Sequence, residues 1–413
     1  MIEEALSLAR SRCLDDKVMV EQLHQWCAIN SGTSNLAGLA TMHQTLHDAF
    51  LPIADVIESH TLPAAPSINL LGLTESQPCG DLLFIRKRPH LKRRILLTGH
   101  MDTVFDKHHP FQTLRQLNHN TLNGPGAADM KGGLAVMLHA LQTFEQSSLA
   151  PTLGWDVVIN ADEEIGSPAS RLFLDNMAAN YPAALVYEPA MDASGTFARK
   201  RKGSGKLTLI ATGKSAHAGR AFQEGRNAIC YLAEAVVAVH ALNNQRCGVT
   251  LNVGKMAGGE ALNVVPPLAA AQIDVRISKA SDEPWVRKQI QRIIHSLQRP
   301  DYTLTLHGTF GRPVKPISLA TKRMFSRLQG LGKLLNLKLD WQDSGGCCDG
   351  NNLAHHGLAV IDTLGVRGGA IHCSDEYILL DSLNERATLS ALLLLDLADG
   401  GLEAISAQPS HAL

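Results

Sequence analysis

Five acids and two histidines stand in short runs where apolar strands end or helices begin. His100 and Asp102 lie in GHMDTVF, Asp129 in NGPGAADMKGG, Glu163 and Glu164 in INADEEIGS, Glu188 in YEPA and His372 in GGAIHCSDEY. Two histidines among carboxylates make a mixed nitrogen and oxygen donor set. That set suits zinc, with cobalt or manganese as substitutes, whereas calcium and magnesium take oxygen alone. Five ligands exceed what one catalytic zinc with an open position accepts. They fit two ions about 3.5–4 Å apart that share one carboxylate. The acids after Asn160 can then crowd together because dications sit among them. Neighbouring side chains on an extended backbone diverge, so Glu163 and Glu164 do not both serve one ion. One ligates, and the other takes a proton from water that the metal pair acidifies. Spacing does not say which is which; we assign Glu164 as ligand and Glu163 as general base. Asp162 reads as a strand-end cap.

Each motif alone is weak. A lone His or acid is ordinarily a satisfied polar residue, and GPGAAD alone is turn chemistry. The argument rests on their joint placement at strand ends, because ligands of open α/β sheets bind at the carboxyl edge. Other motifs fall away. TGKS at 212–215 lacks the earlier glycine of a phosphate loop, since that position is Thr208, and there is no HExxH zinc helix.

The elements that must position these residues are legible as apolar periodicity. Residues 15–29 and 36–50 read as amphipathic helices around the SGTSN loop. Then RRILLTGH (93–100), WDVVINAD (155–162), AALVYEP (183–189) and LAVIDTLG (358–365) read as strands. GGLAVMLHALQTF (132–144), residues 167–179 and residues 382–399 read as helices. Continuous apolar strands between helices predict an α/β unit with a mostly parallel sheet covered by helices. The middle differs. Strands at 205–213, 249–259, 269–278 and 303–310 alternate with helices at 226–242 and 283–298, the order of a ferredoxin-like α+β unit. We therefore expect a catalytic domain of residues 1–202 and 313–413, interrupted by a smaller lid or dimerisation domain at 203–312.

Charge is nearly balanced, with 38 Lys and Arg against 39 Asp and Glu, so nothing points to nucleic acid. The apolar runs are too short to span a bilayer, and the first residues lack a signal peptide's pattern. The 8 cysteines show no CxxC spacing, which suggests neither a zinc knuckle nor a disulfide framework. A cytoplasmic protein without a membrane partner is the expectation.

In order, GHMDTVF, NGPGAADMKGG, ADEEIGS, YEPA, GKSAHAG, ALNVVP, DVRI, SGGCCDGN and IHCSDEY resemble the motifs of the di-zinc aminoacylase/carboxypeptidase metallopeptidases. That family includes glutamate carboxypeptidase, acetylornithine deacetylase and succinyl-diaminopimelate desuccinylase. The resemblance runs from about residue 20 to 399 and is nearest to the bacterial glutamate carboxypeptidase branch. It implies that His100, Asp129, Glu164, Glu188 and His372 ligate two zinc ions per subunit, with Asp129 as the bridge. It implies that Asp102 orients His100, that Glu163 is the base, and that His217 in GKSAHAG helps hold the oxyanion from its own subunit or a partner's. Asn263 and Arg276 would hold a substrate carboxylate, for which the arginine fork is suited. The implied activity is hydrolysis of an amide to release an amino acid with a free α-carboxylate, glutamate among them. The substrate would be a small peptide or N-acyl amino acid, and the assembly a homodimer. An N-acyl amino acid deacylase or a dipeptidase would use the same machinery. A metal-retaining binding protein without turnover is the alternative outside enzymes, against which Glu163 and Asp102 argue. The chain departs from the family at Cys347 and Cys348, where Gly or a hydroxyl residue is common, and at Cys373, where Ser is common. These cysteines read as small packing residues.

Overall fold

The computed structural model describes Ser7 and residues 16–406. Its larger part is built from α1 (Asp16–Cys27), α2 (Leu36–Phe50), β1 (Val56–His60), β2 (Leu82–Lys87), β3 (Arg94–His100), α3 (Gly132–Glu145), β4 (Gly154–Asn160), α4 (Arg171–Ala178) and β5 (Ala183–Val186). The chain then forms β6 (Gly203–Thr212), α5 (Ala228–His240), β7 (Thr250–Gly258), β8 (Leu268–Ile277), α6 (Asp282–Ser296) and β9 (Thr303–Arg312). It returns through α7 (Leu319–Leu334), α8 (Asp349–His355), β10 (Ala359–Ile361) and α9 (Asp381–Asp396).

The central sheet runs β1-β2-β4-β3-β5-β10. β4, β3, β5 and β10 pair in parallel, as continuous apolar strands require. The expectation of a mostly parallel sheet fails on the other side. There β2 pairs antiparallel with β4, and β1 antiparallel with β2, so the sheet is mixed.

Strand periodicity fills both faces. Leu83, Ile85, Ile95 and Leu97 join one core with Leu134, Leu138 and the leucines of α9. Leu82, Phe84, Leu96 and Val158 turn the other way and pack with Leu174 and Leu353 of α4 and α8. A sheet buried on both sides exposes only its ends to solvent, and the functional residues gather at one of those ends.

β6 to β9 form a separate antiparallel sheet in the order β7-β8-β6-β9, with α5 and α6 joining its strands. This is the ferredoxin-like arrangement. It has its own core, in which Leu207, Leu209, Ile273 and Val275 meet Tyr231, Leu232, Val286 and Ile290. A third sheet places Gly368–Gly369, Tyr377–Leu379, Thr121–Asn123 and Arg115–Asn118 side by side. It ties the approach to Asp129 to the hairpin that carries His372. No helix among the described residues is long and apolar enough to cross a membrane.

Candidate metal centre

His100 is the last residue of β3, Glu188 lies two residues past β5, and Glu163 and Glu164 open a short turn after β4. Asp129 sits in the kinked segment Ala127–Lys131 that leads into α3. Two glycines make this segment's path possible. Gly126 has φ +68, and a Cβ there would meet Thr103 at 2.6 Å. A Cβ on Gly133 would lie 2.0 Å from the Tyr187 carbonyl, so only glycine lets α3 reach the backbone beside Glu188. His372 does not follow β10 directly, as its sequence position suggested. It occupies the hairpin between Gly368–Gly369 and Tyr377–Leu379, at φ +65, a left-handed conformation that costs a non-glycine residue energy.

These side chains converge. His100 Nε2 is 3.1 Å from Asp129 Oδ1, and His372 Nε2 is 3.2 Å from Asp129 Oδ2. Asp129 thus presents one oxygen to each histidine. Glu188 Oε1 lies 3.8 Å from His100 Nε2, and Glu164 Oε2 lies 3.2 Å from His372 Nε2. His100, Asp129 and Glu188 are buried, while the His372 side chain is 53% exposed and marks the open side. The electrostatics follow from this crowding. Burial pushes the Glu163 carboxyl up to about 7 and the Glu164 carboxyl up to about 8. Hydrogen bonds that His372 donates to Asp129 and Glu164 push its pKa up to about 11. Burial opposes charge on His100, yet Asp102 and Asp129 hold its pKa well above the ordinary histidine value. The pocket therefore favours positive charge at its centre.

A metal fits this donor set. Glu164 Oε1 is buried without a hydrogen-bond partner, which a bound cation would supply. Proximity alone does not separate ligand from base, since ligand atoms of His100, Glu163 and Glu188 also lie within 4.8 Å of one another. The two glutamates differ in their partners. Glu163 Oε1 accepts from Arg312 Nη2 at 2.7 Å, whereas Asp129, Glu164 and Glu188 face histidines.

Asp102 lies beneath these residues, fully buried. Its main-chain carbonyl is 2.9 Å from His100 Nδ1, and its Oδ1 is 3.4 Å away. A carbonyl only accepts, so Nδ1 keeps a proton and Nε2 faces the pocket. The carboxylate also accepts from the Glu163 and Glu164 amides, at 3.1 Å each, and from Thr33 Oγ1 at 2.8 Å. Asp162 is a satisfied buried cap, accepting from the Ala169 and Ser170 amides at 2.8 and 3.1 Å.

The remaining candidates stand apart. His217 and Asn263 are both exposed and are brought together by a bridge in which the Ala218 amide donates to the Asn263 carbonyl at 2.9 Å. Among the described residues, no hydrogen bond or ion pair joins either side chain to the carboxylate–histidine cluster. Arg276 donates from Nε and Nη2 to Asp274 at 2.7 and 3.3 Å, and from Nη1 to Cys347 Sγ at 3.3 Å. The inner side of its fork is therefore engaged within its own strand. Cys348 is buried, and Cys373 is exposed with Sγ 3.1 Å from the Ala370 carbonyl.

Sequence reasoning missed three groups. Arg312, the end of β9, reaches Glu163 from the small sheet. Buried Glu376, four residues after His372, accepts from the Gly126, Ala128 and Asp129 amides at 3.1, 2.8 and 3.0 Å. Arg201 and Lys315 enclose Asp362, each at 2.9 Å. Glu376 had a signal in its closeness to His372, and Arg312 one in its place at a strand end before Pro313.

The profile of the Peptidase family M20/M25/M40 matches residues 96–396. The chain belongs to this family. Carboxypeptidase G2 of Pseudomonas sp. (strain RS-16) is 24% identical over 388 residues, spanning 94% of this chain and 91% of that protein. Among solved structures, the aminopeptidase PepT of Bacillus cereus superposes with a TM-score of 0.71 at 19% identity, covering 94% of this chain and all of that one (100%). The M20 family metallo-carboxypeptidase Sso-CP2 of Sulfolobus solfataricus gives 0.70 at 14% identity, covering 92% of this chain and 99% of that one. As a family member the chain is a metallopeptidase, a metal-dependent hydrolase of amide bonds.

Proposed function

We propose that the protein binds two zinc ions and hydrolyses an amide to release an amino acid with a free α-carboxylate, glutamate first among the candidates. The observation that carries this reading is Asp129, whose two oxygens each face a histidine. His100, Asp129 and Glu188 would hold one ion, and His372, Asp129 and Glu164 the other, with cobalt or manganese as substitutes. When bound, such a pair polarises a carbonyl and lowers the pKa of water. Glu163 takes the proton of the attacking water and delivers it to the leaving nitrogen. Asp102 keeps Nδ1 of His100 protonated and fixes the turn from which Glu163 and Glu164 project. Arg276 and Asn263 take the substrate carboxylate, Arg276 through the edge that now faces Cys347.

We assign residues 203–312 as a lid and dimerisation domain inserted between the two segments of the catalytic domain, 1–202 and 313–413. Its own hydrophobic core supports that division. β7 is an edge strand with a mostly exposed face that includes Met256, and Val237 of α5 is exposed too, which suits pairing with a second copy. In a homodimer, exposed His217 and Asn263 would reach a partner's pocket, where His217 would stabilise the oxyanion. Cys347 and Cys348, adjacent and both free, suit a reducing cytoplasm.

The test is metal content per chain, paired with turnover of N-acyl glutamate and other N-acyl amino acids before and after chelation. About two ions per chain, with activity lost on chelation and restored by zinc, is the expected result. Failure to take up zinc or cobalt, with no turnover, overturns the reading.

A further inference from the structure

Glu163 is held at both ends. Its amide donates to Asp102 Oδ1 at 3.1 Å, which fixes where the residue starts. Its carboxylate meets Arg312 Nη2 at 2.7 Å, which fixes where it stops. Arg312 is itself buried and held at several points. Nη2 also donates to Ser167 Oγ at 2.8 Å, and Nη1 donates to Asn352 Oδ1 at 3.0 Å and to Asp349. Asp349 in turn accepts from Asn160 Nδ2 and Ser167 Oγ, both at 2.7 Å. The network is buried throughout except at the Glu163 carboxylate, an oxygen of which lies within 4.8 Å of ligand atoms of His100 and Glu188. That carboxylate spans the gap between a fixed cation and the metal-holding cluster.

We propose that Arg312 is a positioning residue for Glu163: it holds one carboxylate oxygen so that the other faces the pocket. The inference rests on the reading of Glu163 as base. Without Arg312, a glutamate side chain with three rotatable bonds has several ways to turn, and a displacement of about 1 Å at a reacting group costs roughly 10²-fold in rate. Arginine is suited to the task because its planar fork binds the Asp349 side with one nitrogen and Glu163 with the other, whereas lysine offers a single point charge. Arg312 also ends β9. The small sheet thus supplies the group that sets the base, and the base is in place only when the two sheets are docked as they are here.

The test uses zinc-loaded full-length protein and the N-acyl amino acid that wild type turns over fastest among the N-acetyl amino acids. Arg312→Lys is expected to lower kcat by roughly 10- to 100-fold, with KM changed by less than about twofold and zinc content unchanged. In denaturant unfolding, Arg312→Lys and Glu163→Gln are expected to be non-additive, as for groups in contact. Should Arg312→Lys not fold, Arg312→Met combined with Asp349→Asn removes both charges of the Asp349 pair and takes its place. A raised KM with unchanged kcat makes Arg312 a substrate contact and overturns the proposal. Additive unfolding energies overturn it too, as does a variant that loses only thermal stability. Wild type that turns over no member of the panel is a different failure, that of the function proposed above, and it removes the base that Arg312 would position.

Discussion

Glu376 grips the backbone that carries Asp129. Its carboxylate accepts from the Asp129 amide at 3.0 Å, and from the Ala128 and Gly126 amides at 2.8 and 3.1 Å. Its own carbonyl accepts from the Gly124 amide and from Asn123 Nδ2, at 3.1 and 2.7 Å. One residue therefore ties the hairpin of His372 to the loop of Asp129. Glu376→Gln replaces one accepting oxygen with a donor that faces backbone N–H groups. Metal affinity should fall by about 10- to 100-fold, the usual cost of disturbing a group behind a ligand. Competition with a chromogenic chelator measures this, and unchanged affinity would show that the loop holds its shape without Glu376.

Glu163 and Glu164 should part company when each is made an amide. Glu163→Gln keeps its metals, because the Arg312 guanidinium rather than a metal ion faces that carboxylate, and kcat falls by roughly 10²–10⁴-fold. Glu164→Gln loses metal. Metal analysis of the two variants decides the assignment, and the reverse pattern would exchange ligand and base.

Asp362 is fully buried between Arg201 and Lys315, which hold its carboxyl below the ordinary Asp value against the cost of burial. Asp362→Ala strands two buried cations and should cost about 3–5 kcal/mol. The sign of the pH effect follows from the depressed pKa. The carboxylate's contribution is fully present above the unfolded value, about 3.9, and is lost as pH falls through the lower folded value. The stability gap between wild type and Asp362→Ala should therefore narrow only below about pH 4. Urea unfolding of both proteins from pH 7 downward checks this, and a gap that narrows nearer neutrality would contradict it.

The convergence of the histidines and carboxylates was legible because they share a local signature, a polar residue where an apolar run stops. Apolar runs predict strands, and strand ends in a parallel sheet meet, so His100, Glu164 and Glu188 could be grouped before any fold was known. Arg312 carries no such mark toward Glu163, since the two belong to different sheets and are separated by 149 positions. Glu376 sits beside His372, yet its partners are backbone amides, which every sequence offers equally. β1, VIESH, was invisible because an exposed edge strand has no apolar face to report it. The exposure of His217 and Asn263 is a property of how the small sheet ends, which periodicity does not encode.

That exposure leads to the last prediction. The Ala218 amide donates to the Asn263 carbonyl and the Val265 amide to the Ala216 carbonyl, each at 2.9 Å, so the segments of His217 and Asn263 are joined as one unit beside the small sheet. Neither touches the cluster of its own chain through a hydrogen bond or ion pair among the described residues. If the unit serves the other subunit of a dimer, two dead variants should repair each other. His217→Ala lacks only the oxyanion donor it lends, and Glu163→Ala lacks only the base it keeps. In a mixed dimer, the pocket of the His217→Ala chain has its own base and receives His217 from the partner subunit. Equal mixing with subunit exchange should then restore about one quarter of wild-type activity, since half the dimers are mixed and one of their two pockets is complete. A His217 that works within its own chain leaves every pocket short of one group, and the mixture stays inactive.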